Sequence, residues 1–267
     1  MLLRLTTLAL LAACAHAGPA DHAPSAGPEA WSEITLWRLP EAMAAFDSPE
    51  ADRLARLGRA TVLLELPPKT PGNLAEADRI LRGLVETRAD DEPGIVAAWL
   101  LARLHHVHLT PAVPAEAARW YRHLHGQRAF RAHPLVAQAA VKLALLTLYA
   151  DDGRPFETRY AEANALGTDL ADQAARRDFH LLIARAAQFH GQPESLILPH
   201  LLAALATGEL GHREHANVLY TIADLGPRVG RIAEARAAAA HFLERFPRDE
   251  RVLTVRQKLA ALPPSDS

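Results

Sequence analysis

The chain has 267 residues, and 49% of them are hydrophobic, so it is long and apolar enough to bury a sizeable core. Its 29 Lys and Arg residues against 31 Asp and Glu residues give a formal net charge of −2. This balance excludes the basic surface by which proteins bind nucleic acid phosphates. A single cysteine excludes an intrachain disulfide, a cysteine-based zinc site and a dithiol redox pair.

Residues 1–13 have the pattern of a secretory signal. Arg4 supplies one positive charge, residues 5–13 carry none, and small residues lead to the only cysteine, Cys14. The apolar run is too short to span a bilayer as a permanent helix. The Leu-Ala-Ala-Cys sequence that ends at Cys14 is similar to a bacterial lipobox, where a diacylglyceryl group is attached to the cysteine and the chain is cut in front of it.

The lipobox resemblance implies a lipoprotein of the bacterial cell envelope. In Gram-negative lipoproteins an Asp after the cysteine favours the inner membrane, so Ala15 indicates the outer membrane, with the protein facing the periplasm. Two alternatives stay open. The stretch 15–17 also fits ordinary signal cleavage before Gly18, which would release a soluble periplasmic protein, and the N-terminal helix could stay uncleaved. Residues 14–28, rich in Pro, Gly and Ala, are predicted to be a flexible tether.

Amphipathic helices are predicted for the rest of the chain. Ala and Leu recur at helical spacing, as at Ala97, Leu100 and Leu104, and no alternating run of β-branched residues with a hairpin turn indicates a sheet. The predicted organisation is an N-terminal helical segment, a helical repeat domain and a disordered tail, over residues 29–49, 50–262 and 263–267. The fold class is therefore predicted to be all-α.

One kind of helix start recurs along the predicted repeat domain. A glutamate in the first turn complements the positive end of the helix dipole, and such glutamates recur every 37 to 41 residues, at Glu76, Glu116, Glu157, Glu194 and Glu234. A period of this length is typical of stacked helix pairs. The spacing predicts an α-solenoid of antiparallel helix pairs, although a chance recurrence in an Ala- and Glu-rich helical protein would look the same.

The last unit resembles a tetratricopeptide repeat. Gly230 matches the glycine turn, Ala235 the small residue at the helix contact, and Pro247 the closing proline. The resemblance implies a first helix over 216–229 and a second over 231–246, followed by a polar capping helix. The pattern is degenerate, because a leucine replaces the family's large aromatic residue and the period exceeds the usual thirty-four residues.

The resemblance also implies a concave protein-binding surface. In the last repeat its groove positions fall on Asn217, Tyr220, Asp224 and Arg228, a polar set around one aromatic ring. Such a set suits an extended peptide or a partner helix, but it would also suit a solvated helix surface. The predicted function is an envelope scaffold that binds other envelope proteins or peptides, contacts the membrane through its lipid, and binds neither nucleic acid nor a cofactor. In general plan it is similar to the tetratricopeptide lipoproteins that help assemble outer-membrane barrels or type IV pili.

Histidines suggest an alternative, a periplasmic metal- or ligand-binding protein. His105 and His108, three residues apart on one predicted helix, could present two imidazoles to one metal ion, and further histidines follow as far as His133. No third ligand of known geometry is identifiable, so surface or helix-end histidines are the simpler interpretation, and no metal site is assigned.

No enzyme motif occurs in the sequence, which contains neither a G-x-S-x-G elbow nor a Gly-rich phosphate loop. The acidic pairs at 90–91 and 151–152 fall at predicted helix junctions, where such side chains ordinarily cap helices or satisfy turns. The chain is therefore predicted not to be an enzyme. An enzyme of polysaccharide or peptidoglycan turnover stays a hypothesis from fold analogy alone.

Overall fold

All regular secondary structure in the described part of the chain is helical. The computed structural model describes residues 27–48, 51–150 and 152–263, and these ranges contain no strand, which confirms the predicted all-α class. The predicted signal, Cys14, most of the tether and all but the first residue of the predicted tail lie outside the described residues. Within the described ranges, no helix is both long enough and apolar enough to cross a membrane.

The chain divides into two compact units, the first ending at residue 130. Its helices are α1 (Pro28–Thr35), α2 (Leu39–Phe46), α3 (Arg53–Glu65), α4 (Pro71–Thr87), α5 (Glu92–Arg103) and α6 (Pro114–His125). A π-helix continues α5 over Leu104–His108, and a 3-10 turn follows α6 over Arg128–Phe130. Each α-helix of this unit packs against the next one along the chain.

The second unit begins at residue 131. Its helices are α7 (Pro134–Leu148), α8 (Phe156–Ala165), α9 (Gln173–Phe189), α10 (Glu194–Ala206), α11 (His212–Leu225), α12 (Ile232–Arg245) and α13 (Val252–Ala261). A 3-10 turn over Gly226–Val229 follows α11. Here too every helix packs against its successor, while α7 also contacts α9 and α11 also contacts α13. This order of packing confirms the solenoid-like arrangement of helix pairs.

Four of the five predicted glutamate helix starts are correct. Glu116, Glu157, Glu194 and Glu234 lie in the first turns of α6, α8, α10 and α12. The prediction for Glu76 is wrong, because α4 begins five residues earlier. There Pro71 takes a first-turn position and the Thr70 hydroxyl accepts a hydrogen bond from the Asn73 amide at 3.2 Å.

The predicted N-terminal helical segment is two short helices with a sharp turn between them. The Arg38 amide donates to the Glu33 carbonyl at 2.8 Å and the Trp37 amide to the Ile34 carbonyl at 3.0 Å, the bonding pattern of a Schellman helix end. That pattern places Trp37 at φ 63°, a left-handed conformation that glycine usually adopts. The break in the helix therefore comes from a turn without the usual glycine signal.

The last helix pair begins earlier than the sequence predicts. Helix α11 starts at His212, four residues before the predicted start, and Pro227 lies in a 3-10 turn rather than in the helix. Gly230 has φ 74°, a left-handed turn before α12. A Cβ at Gly226 would lie 2.8 Å from the Cβ of Ala235, so small residues allow this close approach.

Two further glycines allow large aromatic rings to pack in the core. A Cβ at Gly58 on α3 would lie 2.4 Å from the ring of Phe46, and one at Gly167 would lie 2.1 Å from the ring of Phe179. Both rings are almost completely buried. The absence of a side chain at these glycines thus creates the space in which the rings pack.

Gly58→Ala is expected to lower the free energy of unfolding by about 1–3 kcal/mol, because the added methyl would overlap the buried Phe46 ring. Gly83→Ala, on α4 with nothing within 4 Å of its would-be Cβ, is the matched control. It is expected to raise that free energy by about 0.5–1 kcal/mol, because alanine favours a helix over glycine. Urea unfolding measures the change in the free energy of unfolding of each variant. A decrease of similar size in both variants would contradict the packing described.

Candidate functional site

The four predicted groove residues lie on one face of the last helix pair. Asn217, Tyr220 and Asp224 follow one another on α11 at spacings of three and four residues, and Arg228 continues the row on the 3-10 turn. Asn217 and Arg228 are exposed, whereas Tyr220 and Asp224 are half-buried. We call this surface the α11 polar face.

Basic side chains at and after the start of α13 bind the α11 polar face. Arg251 donates to the Asn217 side-chain oxygen at 2.8 Å, and its guanidinium carbon lies 5.2 Å from the Tyr220 ring centroid. Lys258 forms an ion pair with Asp224 and lies 5.9 Å from the same ring centroid. These basic groups were not predicted as part of the site, and the only signal for them was the implied capping helix.

Ion pairs hold this arrangement at both ends. Arg228 pairs with Asp224 at 2.8 Å and lies 3.5 Å from Glu194 on α10. Asp249 pairs with Arg251 at 2.8 Å, and the hydrogen bonds from that guanidinium lower the pKa of Asp249 to about 2. The α11 polar face is thus a surface of paired, mixed charge, which can offer both donors and acceptors to a partner.

A cavity of about 480 Å³ lies in the first unit, between α4 and the π-helix. Leucines and an alanine supply much of its apolar wall. Its polar lining comes from Lys69, Asp78, Arg82, His105, His108 and Thr110. We call it the α4 cavity. A volume of this size is within the usual range for small-molecule sites, about 300–1,000 Å³.

The π-helix sets the positions of the two histidines that line the cavity. The Leu109 amide donates to the Leu104 carbonyl at 3.0 Å, the five-residue step that defines this widened turn. His105 Nε2 lies 3.2 Å from Asp78 Oδ1, whereas His108 Nδ1 lies 3.0 Å from Lys69 Nζ. The two rings therefore share a cavity but are bonded to different partners.

An ionic cluster of Asp78, Arg82 and His105 forms part of the lining of the α4 cavity. Arg82 donates two hydrogen bonds to Asp78, at 2.6 and 3.1 Å, and its Nη2 lies 3.3 Å from His105 Nε2. The hydrogen bonds that Arg82 donates to the Asp78 carboxylate raise the pKa of Arg82. The guanidinium also lies over the Trp120 ring, 5.5 Å from its centroid. His105 is only 8% exposed.

The geometry does not gather the histidines around a metal position. In the part of the chain that the structure describes, no group of three or more His, Cys, Asp or Glu side chains is placed to hold a metal ion. His123 lies against Trp120, and burial lowers its pKa. His133 lies in the second unit, where its Nδ1 accepts from the Leu135 amide and caps α7.

A histidine pair in the second unit, one ring buried and the other half-buried, was not predicted from the sequence. His180 Nδ1 on α9 lies 2.9 Å from His200 Nδ1 on α10, and His200 Nε2 lies 3.0 Å from the Tyr160 hydroxyl. Burial, followed by the charge of His180, lowers the pKa of His200 to about 4. Burial also lowers the pKa of His180. Two doubly protonated rings cannot share this hydrogen bond, since both nitrogens would be donors.

Comparison with known proteins adds no family to these observations: no family model matches the chain, and no curated protein is significantly similar to it. The candidate sites are therefore assigned from the contacts of the chain itself.

The His180–His200 pair predicts an acid-sensitive fold. Because the folded-state pKa of His200 lies below its ordinary value of 6.5, the unfolded chain binds more protons between pH 4 and 6.5. The contribution of His200 to the free energy of unfolding is therefore complete above about pH 6.5. It falls toward pH 4, by up to about 1.4 kcal/mol per pH unit for this group.

Urea unfolding between pH 4.5 and 8 measures this slope. His200→Gln keeps a hydrogen-bonding side chain but cannot titrate, so it should reduce the slope. Tyr160→Phe removes the bonded hydroxyl and leaves both imidazoles, so it should retain most of the slope. Equal slopes in wild type and His200→Gln would show that His200 is not the titrating group.

Proposed function

We propose that this chain is a cell-envelope scaffold with tetratricopeptide-like repeats, which binds another envelope protein or peptide at the α11 polar face. The observation that carries the proposal is that the four groove residues inferred from the sequence share one face, with Asn217 and Arg228 exposed. Helix-by-helix packing supports it, because stacked helix pairs leave extended surfaces open to partners.

The chemistry of the α11 polar face favours a partner that carries both hydrogen-bonding and charged groups. Asp224 is already paired with Arg228 and Lys258, so a basic group of the partner would have to compete with them. The Arg228 side chain is 56% exposed and can exchange its weak 3.5 Å contact with Glu194 for a carboxylate of the partner. Tyr220 adds an apolar ring beside these charges.

We further propose that the scaffold is attached to the outer membrane through a lipid on Cys14 and faces the periplasm. The lipobox resemblance supports this, as does the presence of just one cysteine in the sequence. A diacylglyceryl group carries two acyl chains, and two chains hold a protein to a membrane much more stably than one. The stretch between Cys14 and α1 would then be the tether.

Metal binding by the histidines is not part of the proposal. His105 is bonded to Asp78 and Arg82, and His108 to Lys69, so each imidazole already has partners of its own. A metal ion would have to displace an ion pair on one side and a lysine on the other.

Site-specific photocrosslinking in a Gram-negative host tests the scaffold proposal. A photoreactive residue replaces Arg228 in one variant and Asn217 in another, and a matched variant carries it at Arg119 on α6, whose side chain is 63% exposed. We expect adducts of one defined mass from positions 228 and 217 and none from 119, since only the first two lie on the α11 polar face.

The adduct from position 228 should also weaken when Tyr220→Ala is added, because that change removes the ring at the centre of the face. Circular dichroism of the double variant serves as the folding control. The proposal is contradicted if positions 217 and 228 give no adduct, or if position 119 gives the same one.

A further inference from the structure

We propose that the α4 cavity is a binding site for a small organic carboxylate with an apolar body. The geometry combines two features in one space of about 480 Å³: cationic side chains from Lys69 and Arg82, and an apolar wall that includes Leu74 and Leu104. This inference is independent of the scaffold proposal, because the α11 polar face belongs to the second unit.

The charge of the lining favours an anion. Asp78 is the only carboxylate among the residues that line the cavity, and it already accepts two hydrogen bonds from Arg82 and one contact from His105. Its charge is thus compensated within the cluster. Lys69 is the second cation of the lining, in addition to Arg82. Its Nζ lies 3.0 Å from His108 Nδ1 and 3.5 Å from Glu65, which does not line the cavity.

Lys69 has the freedom to bind a ligand. Its side chain is 36% exposed, and the 3.5 Å contact with Glu65 is a surface ion pair, which contributes little to stability. Because a lysine ammonium has three donors, Nζ can donate to His108 and still reach a carboxylate. Pro71, in the first turn of α4, also lines the cavity, so the positive end of that helix dipole adds to the attraction.

The apolar wall selects the rest of the ligand. Leu74 and Ala75 come from α4, and Leu104 and Leu109 from the two ends of the π-helix segment. An aliphatic or aromatic body would lose its hydration against these side chains, whereas a bare inorganic anion would gain nothing from them. A monocarboxylate with a short aliphatic or aromatic body matches both parts of the cavity, either free or as the end of a peptide.

Isothermal titration of the purified protein with hexanoate tests the assignment. Hexanol keeps the apolar body without the charge, and acetate keeps the charge without the body. We expect saturable binding of hexanoate and at least tenfold weaker binding of both controls. A short peptide with a C-terminal leucine carboxylate, compared with its amide, separates the two sources: binding of the peptide acid alone would assign a peptide end, and binding of hexanoate alone a free carboxylate.

Two variants change the affinity in opposite directions. Lys69→Met keeps the length of the side chain without the charge and should weaken hexanoate binding about tenfold. Asp78→Asn removes the only lining carboxylate and leaves Arg82 free to bind the ligand, so it should strengthen binding severalfold. Lys142→Met, in the second unit, is the matched control and should leave the affinity unchanged.

Hexanoate and hexanol binding with equal affinity would overturn the assignment, as would the absence of binding by hexanoate and peptide acid at millimolar concentration. An unchanged affinity in Lys69→Met would also overturn it. Circular dichroism shows whether each variant is folded. Unchanged crosslinking of position 228 in Lys69→Met would show that the ligand site and the scaffold function are independent of each other.

Discussion

The burial of each helix against its neighbours along the chain is the constraint on which the rest of the structure depends. The described part of the chain has no sheet to pack against, and its helices have apolar faces that are stabilised only by other helices. Small residues set how close these helices and their side chains come, as at Gly58 beneath Phe46 and at Gly226 against Ala235. Leaving out a single methyl group at such a position lets a large ring or a second helix enter the core.

At both proposed sites polar side chains join neighbouring elements, in addition to the apolar contacts between them. In the first unit Asp78 and Arg82 on α4 meet His105 on the π-helix, in the lining of the α4 cavity. In the second unit Asp224 on α11 meets Lys258 on α13. The apolar contacts between helices hold these clusters in place, so the charges can serve recognition without carrying the stability of the fold.

Local patterns predicted the fold well because they report on one helix at a time. A glutamate in the first turn identified four helix starts. The prediction at Glu76 was wrong because α4 begins at Pro71, a residue type that is itself favoured at a helix start. The candidate sites could not be predicted in this way, because they are formed by residues that are far apart in the sequence and meet only in the folded chain. His180 and His200 lie twenty residues apart and meet only because α9 packs on α10. The π-turn likewise gave His105 and His108 different partners despite their helical spacing.

The intact mass and detergent partitioning of the protein from a Gram-negative host, with wild type beside Cys14→Ala, decide most directly whether this is an envelope-tethered scaffold. The tether proposal predicts a wild-type mass that exceeds the chain beginning at Cys14 by a diacylglyceryl-sized increment, together with partitioning into detergent that Cys14→Ala abolishes. A soluble wild-type product that begins at Gly18 would contradict the tether and leave a freely diffusing periplasmic protein in its place.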